Sequence, residues 1–162
     1  MQTSRTDWPC LFVYGSLRRN YRHTMHDILE EYARYQGEGI FQGKLYDLGS
    51  YPGAILSSDS SDRIVGEIYQ LRQADKVLRL LDRYEGCHPQ SPDPEYVRQQ
   101  SLVTLYDGKS LLAWIYLYCR AIHNQVLIPH GDYLRYLERA IPSSRLGTES
   151  LPDPLRQVGE NF

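Results

Sequence analysis

The stretch Leu11-Phe12-Val13-Tyr14-Gly15-Ser16-Leu17-Arg18 reads as an apolar strand that enters a Gly-Ser turn and leaves as a basic, helix-like segment. Such a turn can aim backbone N–H groups at an anionic or carbonyl oxygen without using a side chain. Cys10 to Tyr14 is therefore a predicted buried strand. Beyond it, Met25, Ile28, Leu29, Tyr32 and Tyr35 recur at helical spacing, with Gly37 placed to end that helix. Gly39 to Leu48 alternates loosely around Gly39 and Gly43, as a bent strand does. Short strands at Ala54 to Leu56 and Ile64 to Leu71 follow, the second with Gly66 inside it. Ala74, Val77, Leu78, Leu81 and Tyr84 form an amphipathic helix that Gly86 can terminate. Val97 to Tyr106 and Leu111 to Tyr118 are β-prone and joined by Asp107-Gly108, a hairpin signal. Gly131-Asp132 opens a last short helix with Tyr133, Leu134, Leu137 and Ile141 on one face. Repeated short strands with interior glycines, plus a few helices, predict an α+β domain whose sheet curls toward a barrel.

The chain of 162 residues fits one domain, with a core from about 10 to 141 and a polar tail over about 142–162. A net charge of -2, with both signs interspersed, provides no electrostatic footprint for nucleic acid or an anionic membrane. The Arg18-Arg19 pair is too short to change that. No apolar run approaches the ~20 residues of a membrane helix, and Met1 to Asp7 is too polar for a secretory signal. The cysteines, Cys10, Cys87 and Cys119, are odd in number and scattered, so neither a disulfide framework nor a zinc site is expected. A reducing cytoplasm is the expected location.

Two segments stand out as chemistry. Glu85 closes a predicted helix, where the macrodipole disfavours a negative charge by roughly 0.3–1 kcal/mol. Its pKa should rise, more so in a cleft, which suits a group that takes and returns a proton. The Tyr14-Gly15-Ser16-Leu17 loop could supply N–H donors to an oxygen. Read singly, each has a plainer meaning: a solvated helix-end glutamate and an ordinary strand-to-helix connection. Other candidates are weaker. His23 and His26 lie three apart on a predicted helix, but no carboxylate or cysteine completes a metal site. Cys87 lacks an ordered histidine partner and reads as a small half-buried residue. Glu67 could be a second acid but reads better as a strand-face charge.

Taken together, Tyr14-Gly15-Ser16-Leu17 and Asp82-x-Tyr84-Glu85-Gly86 resemble the γ-glutamylcyclotransferase-like superfamily, nearest its γ-glutamylamine cyclotransferase and avirulence-induced branch. Gly43-x-Leu45-Tyr46-Asp47, Tyr51-Pro52-Gly53-Ala54, Val65-Gly66-Glu67-Ile68-Tyr69, Tyr96-x-Arg98 and Ala113-Trp114-Ile115-Tyr116 match in order between Leu11 and Tyr118. The resemblance implies a small mixed β-barrel with flanking helices and a cavity between the Tyr-Gly-Ser-Leu loop and the glutamate. It implies release of 5-oxoproline from a γ-glutamyl amine or small γ-glutamyl peptide, without metal or cofactor. Tyr14, Gly15, Ser16 and Leu17 would bind substrate, Glu85 would be the acid/base, and Tyr116 would line the cavity. Two segments depart from the family pattern: Arg19 to His23, where many relatives have a glycine turn, and the proline-rich loop from Cys87 to Pro94. Both flank the expected cavity and bear on substrate choice. A non-catalytic module of the same fold that binds a small molecule is the alternative, and a related lyase or transferase on a γ-glutamylated intermediate is a third reading.

Overall fold

The computed structural model describes residues 8–21, 23–87 and 90–140. In chain order the elements are β1 (Cys10–Val13), α1 (Thr24–Tyr32), β2 (Ala33–Asp47), β3 (Pro52–Leu56) and β4 (Arg63–Leu71). They continue with α2 (Ala74–Tyr84), β5 (Tyr96–Leu105), β6 (Ser110–Tyr118), β7 (Val126–Ile128) and α3 (Tyr133–Ala140). The strands β2, β4, β1, β6 and β5 lie side by side, and β5 returns to β2 through Gly39↔Leu105 and Ile40↔Thr104. The result is a closed five-stranded barrel. It is mixed, because β1 runs parallel to β6 while the other pairs are antiparallel. The far end of β2 leaves the barrel and pairs with β3 and β7.

Strand β1 is buried on both faces, which explains its unbroken apolar run. Phe12 points to the cluster that includes Phe41, Ile64, Ile68, Val103 and Ile115, contributed by all five barrel strands. Leu11 and Val13 face the other way, onto Leu29 of α1 and Val77 and Leu81 of α2. Each such fully buried side chain stabilises the fold by roughly 1.5–3 kcal/mol. Gly66 permits the barrel to close tightly: a Cβ there would overlap the carbonyl of Val13 and the ring of Phe12.

The sequence expectation and the structure differ at two places. The helix expected to reach Gly37 ends at Tyr32, and Ala33 already pairs with Leu71. The Arg72 N–H donates to the Tyr32 carbonyl at 2.7 Å, so pairing with β4 captures the chain before its helical pattern ends. Gly37 instead sits at a register shift in β2, with φ +136°. Strand β7 was not expected, because only Ile128 of its three residues is buried. Ile141, the polar tail, and His88 and Pro89 of the proline-rich loop lie outside the described residues.

Candidate active site

The Tyr-Gly-Ser-Leu loop follows β1 directly and is held from several sides. The Arg18 N–H returns to the Gly15 carbonyl at 3.0 Å, closing the turn. Gly15 packs on Pro52, whose Cγ would lie 2.7 Å from a Cβ at that position. The Leu17 carbonyl accepts from His26 Nδ1 at 2.8 Å, and the Arg19 N–H donates to Glu67 Oε2 at 2.9 Å. Tyr14 is buried with its hydroxyl donating to the Tyr116 carbonyl at 2.6 Å, and Leu17 is buried under the helices. Among these four loop residues Ser16 alone is partly exposed.

Helix α2 delivers the second segment. Its apolar face, Val77, Leu78 and Leu81, seats it on the barrel, and Gly86 at φ +62° turns the chain away at its end. Glu85 is the C-cap, its N–H on the Leu81 carbonyl at 2.8 Å. Its neighbour Tyr84 reaches the loop: the Ser16 hydroxyl and the Tyr84 hydroxyl are 3.0 Å apart. The two segments singled out in the sequence therefore meet, although 68 residues separate this pair.

Glu85 as a residue is half-buried, and its carboxyl pKa is pushed up to about 8, first by burial and then by the charge of Glu95. The direction and the contribution of burial match the sequence expectation, and the like charge of Glu95 is a further cause that the sequence did not suggest. Glu95 lies against this corner, its Cβ 3.9 Å from where a Gly86 Cβ would be, and it accepts from the Tyr51 hydroxyl at 2.5 Å. The surrounding phenols are held protonated. Burial first, and then the Glu85 charge, raises Tyr14; burial first, with Tyr14 and Glu85 adding, raises Tyr96. Tyr96 also donates to the Pro52 carbonyl at 2.8 Å, which braces the residue behind Gly15.

Tyr116 touches both segments, with its carbonyl on Tyr14 and its side chain on α2. Its hydroxyl donates to Asp82 Oδ1 at 2.7 Å, and Asp82 also takes Arg98 Nε at 2.8 Å. Burial first, and then the hydrogen bond to Asp82, hold the Tyr116 hydroxyl protonated, with the Glu85 charge adding to the effect. His23 and His26 each use Nδ1 on the protein's own backbone, the first accepting from the Met25 N–H and the second serving the Leu17 carbonyl. Among the described residues no group of three or more His, Cys, Asp or Glu side chains is arranged to hold a metal ion. No described helix is long and apolar enough to cross a membrane. An open cleft of about 580 Å³ lined by Pro129, His130, Arg135, Tyr136, Arg139 and Ala140 contains none of these site residues.

Residues 11–135 match the family described as γ-glutamyl cyclotransferase, AIG2-like. The chain belongs to this family. It is 34% identical over 127 residues to the γ-glutamylcyclotransferase family protein YtfP of Escherichia coli K12, covering 76% of this chain and 95% of that protein. The solution structure of ytfP from Escherichia coli superposes with a TM-score of 0.54 at 31% identity, over 78% of this chain and 97% of that one. The crystal structure of an AIG2-like protein from Mus musculus gives a TM-score of 0.62 at 23% identity, over 78% and 88% of the two chains.

Several residues at the site of this γ-glutamylcyclotransferase family member escaped the sequence reading. Glu95 and Tyr51 lie in loop and turn segments 44 residues apart; Tyr51 opens the Tyr51-Pro52-Gly53-Ala54 match but carries no assigned role in it, and Glu95 belongs to no motif. Tyr84 read as the apolar end of a helix face. Glu67, read as a strand-face charge, is fully buried. The Glu-x-Tyr spacing of Glu67 and Tyr69 was the available signal, because alternation along β4 puts both on one face, where the Tyr69 hydroxyl donates to Glu67 at 3.1 Å.

Proposed function

We propose that this protein is a γ-glutamyl cyclotransferase acting on a γ-glutamyl amine or small γ-glutamyl peptide, with Glu85 as general acid/base. The observation that carries the reading is the meeting of Ser16 and Tyr84, which sets the Tyr-Gly-Ser-Leu loop beside a carboxyl that burial and Glu95 keep reluctant to ionise. In the reaction the substrate's α-amino nitrogen forms a bond to its own γ-carbonyl carbon, and the bond from that carbon to the leaving amine breaks. The products are 5-oxoproline and the free amine. The nucleophile is tethered, so alignment alone can remove roughly 7–11 kcal/mol of barrier. Three further tasks remain for the protein: taking a proton from the α-ammonium, holding charge on the carbonyl oxygen, and protonating the leaving nitrogen.

A carboxyl with a pKa near 8 suits both proton steps. An ammonium arriving beside Glu85 and Glu95 favours the ionised carboxylate, which lowers that pKa again at the moment a base is needed. The Arg18 and Arg19 N–H groups are occupied by Gly15 and Glu67. The N–H groups of Ser16 and Leu17 are therefore the loop donors assigned to the substrate oxygen. Tyr14 and Leu17 anchor that loop from below, Gly15 gives it room against Pro52, and Tyr116 braces α2 through Asp82.

The test is incubation of the purified chain with γ-glutamyl amines, γ-glutamyl amino acids and γ-glutamyl peptides, with 5-oxoproline as the readout. At least one should be converted, and Glu85→Gln should lose about 10²–10⁴-fold in kcat while remaining folded. A blank panel would leave a binding module of the same fold. Full turnover by Glu85→Gln would remove the glutamate from the proton transfers.

A further inference from the structure

The departure from the family pattern at Arg19 to His23 ends in a contact that the cyclotransferase reading does not use. His23 caps α1 by accepting the Met25 N–H on Nδ1 at 3.0 Å. A nitrogen that accepts carries no proton, so the neutral ring bears its proton on Nε2. That Nε2 lies 3.3 Å from the Tyr84 hydroxyl oxygen, which in turn lies 3.0 Å from Ser16 Oγ. With that tautomer His23 Nε2–H is the donor to the Tyr84 oxygen. The Tyr84 hydroxyl can then donate to the Ser16 oxygen, an arrangement that leaves the Ser16 proton for the partly exposed end of the loop.

We propose that His23 and Tyr84 are positioning residues that present the Ser16 hydroxyl as an oriented hydrogen-bond donor, so that the substrate group seated on Ser16 is an acceptor oxygen, a carboxylate or a carbonyl. The proposal deepens the cyclotransferase reading and rests on it. Helix capping fixes the imidazole tautomer, the tautomer fixes the phenol, and the phenol fixes the serine. Donors already aligned before substrate arrives need no reorganisation during the reaction, and successive hydrogen bonds in one direction polarise one another. Tyr84 is adjacent in sequence to Glu85, so the same helix end that carries the acid/base also orients this donor.

Two measurements decide it. Long-range 1H–15N spectra of the histidine rings read the tautomer without any substrate. At about pH 8, above the ordinary histidine range, His23 should be the Nε2–H form; an Nδ1–H ring overturns the proposal. In turnover, Ser16→Ala and Tyr84→Phe should each lose about tenfold in kcat/KM, and the double variant should also lose about tenfold rather than about a hundredfold. His23→Asn keeps a capping side chain but breaks the chain, so activity should fall with Tm unchanged, whereas His23→Ala should lower both. Additive losses in the double variant, or full activity in Tyr84→Phe, overturn the proposal. A wild type inactive on every γ-glutamyl compound removes the cyclotransferase reading instead, and the tautomer still decides the hydrogen-bond chain.

Discussion

Two glutamates mark two regions of this barrel. Glu67, in β4, is fully buried yet well accompanied: it accepts the Arg19 N–H at 2.9 Å and the Tyr69 hydroxyl at 3.1 Å, with Arg18 Nε 3.8 Å away. Arg18 is itself buried and gives Nη1 to Asp132 at 2.9 Å, which ties the loop after β1 to the start of α3. Glu85, at the end of α2, is the more exposed residue of the two, yet its carboxyl is raised to about 8, first by burial and then by the like charge of Glu95. Depth of burial alone therefore does not set these two carboxylates apart. Their company differs: one glutamate is satisfied by donors and a cation, while the other faces a like charge.

The largest expected effect tests the structural side. Glu67→Ala removes the acceptor of the Arg19 N–H and the anion beside the buried Arg18, and breaking one partner of a buried pair typically costs about 3–5 kcal/mol. Urea unfolding should show that loss. Glu67→Gln, which keeps an acceptor for the Arg19 N–H, should lose less and should leave the acid limb of the pH–rate profile where it is. A movement of that limb in Glu67→Gln would mean the two regions are not independent.

A smaller effect sharpens the chemical side. Glu95→Gln keeps an oxygen for the Tyr51 hydroxyl but removes the like charge. The Glu85 pKa should then fall, though not to its ordinary value, because burial is the larger cause. The acid limb of kcat/KM, expected near 8 in the wild type, should move to lower pH. An unchanged limb would show that burial alone tunes Glu85, or that another group sets the limb.

The fold was legible where a local signal and the tertiary outcome agree. Asp107-Gly108 forms the β5–β6 hairpin, with Gly108 at φ +88°, and Gly86 ends α2 as its position predicts. The start of β2 was not legible, because Tyr32 and Tyr35 satisfy a helical period while Tyr35 is claimed by Tyr69 across the sheet. The site was legible as two motifs and illegible as a pocket. Ser16 and Glu85 stand out by sequence context, whereas Glu95, Tyr51 and the bond from Ser16 to Tyr84 exist only once the barrel brings β1, β3 and β5 to the end of α2. Glu67 shows the physical limit most clearly. A single acidic residue in a strand has the same local appearance at a rim and in a core, and only its distant partners distinguish the two.

The smallest effect concerns stability, and its sign follows from the raised pKa. Glu85 holds its proton to about 8 in the folded state but to the ordinary carboxylate range, near 4.3, when unfolded. Between those values the folded state binds more protons, so this group lowers stability as pH rises through the window. Glutamine cannot ionise. Glu85→Gln should therefore match the wild type below about pH 4 and exceed it above about pH 8. Because the residue is partly exposed, solvent screening reduces the difference to about 1 kcal/mol, or about 2–4 °C in Tm for a chain of this size. Glu67→Gln should lose stability near neutral pH, since its carboxylate is paired rather than opposed. Melting curves of both variants across this range would test the contrast directly: a Glu85→Gln protein less stable than wild type at high pH would mean that this carboxylate, too, has a partner that favours its charge.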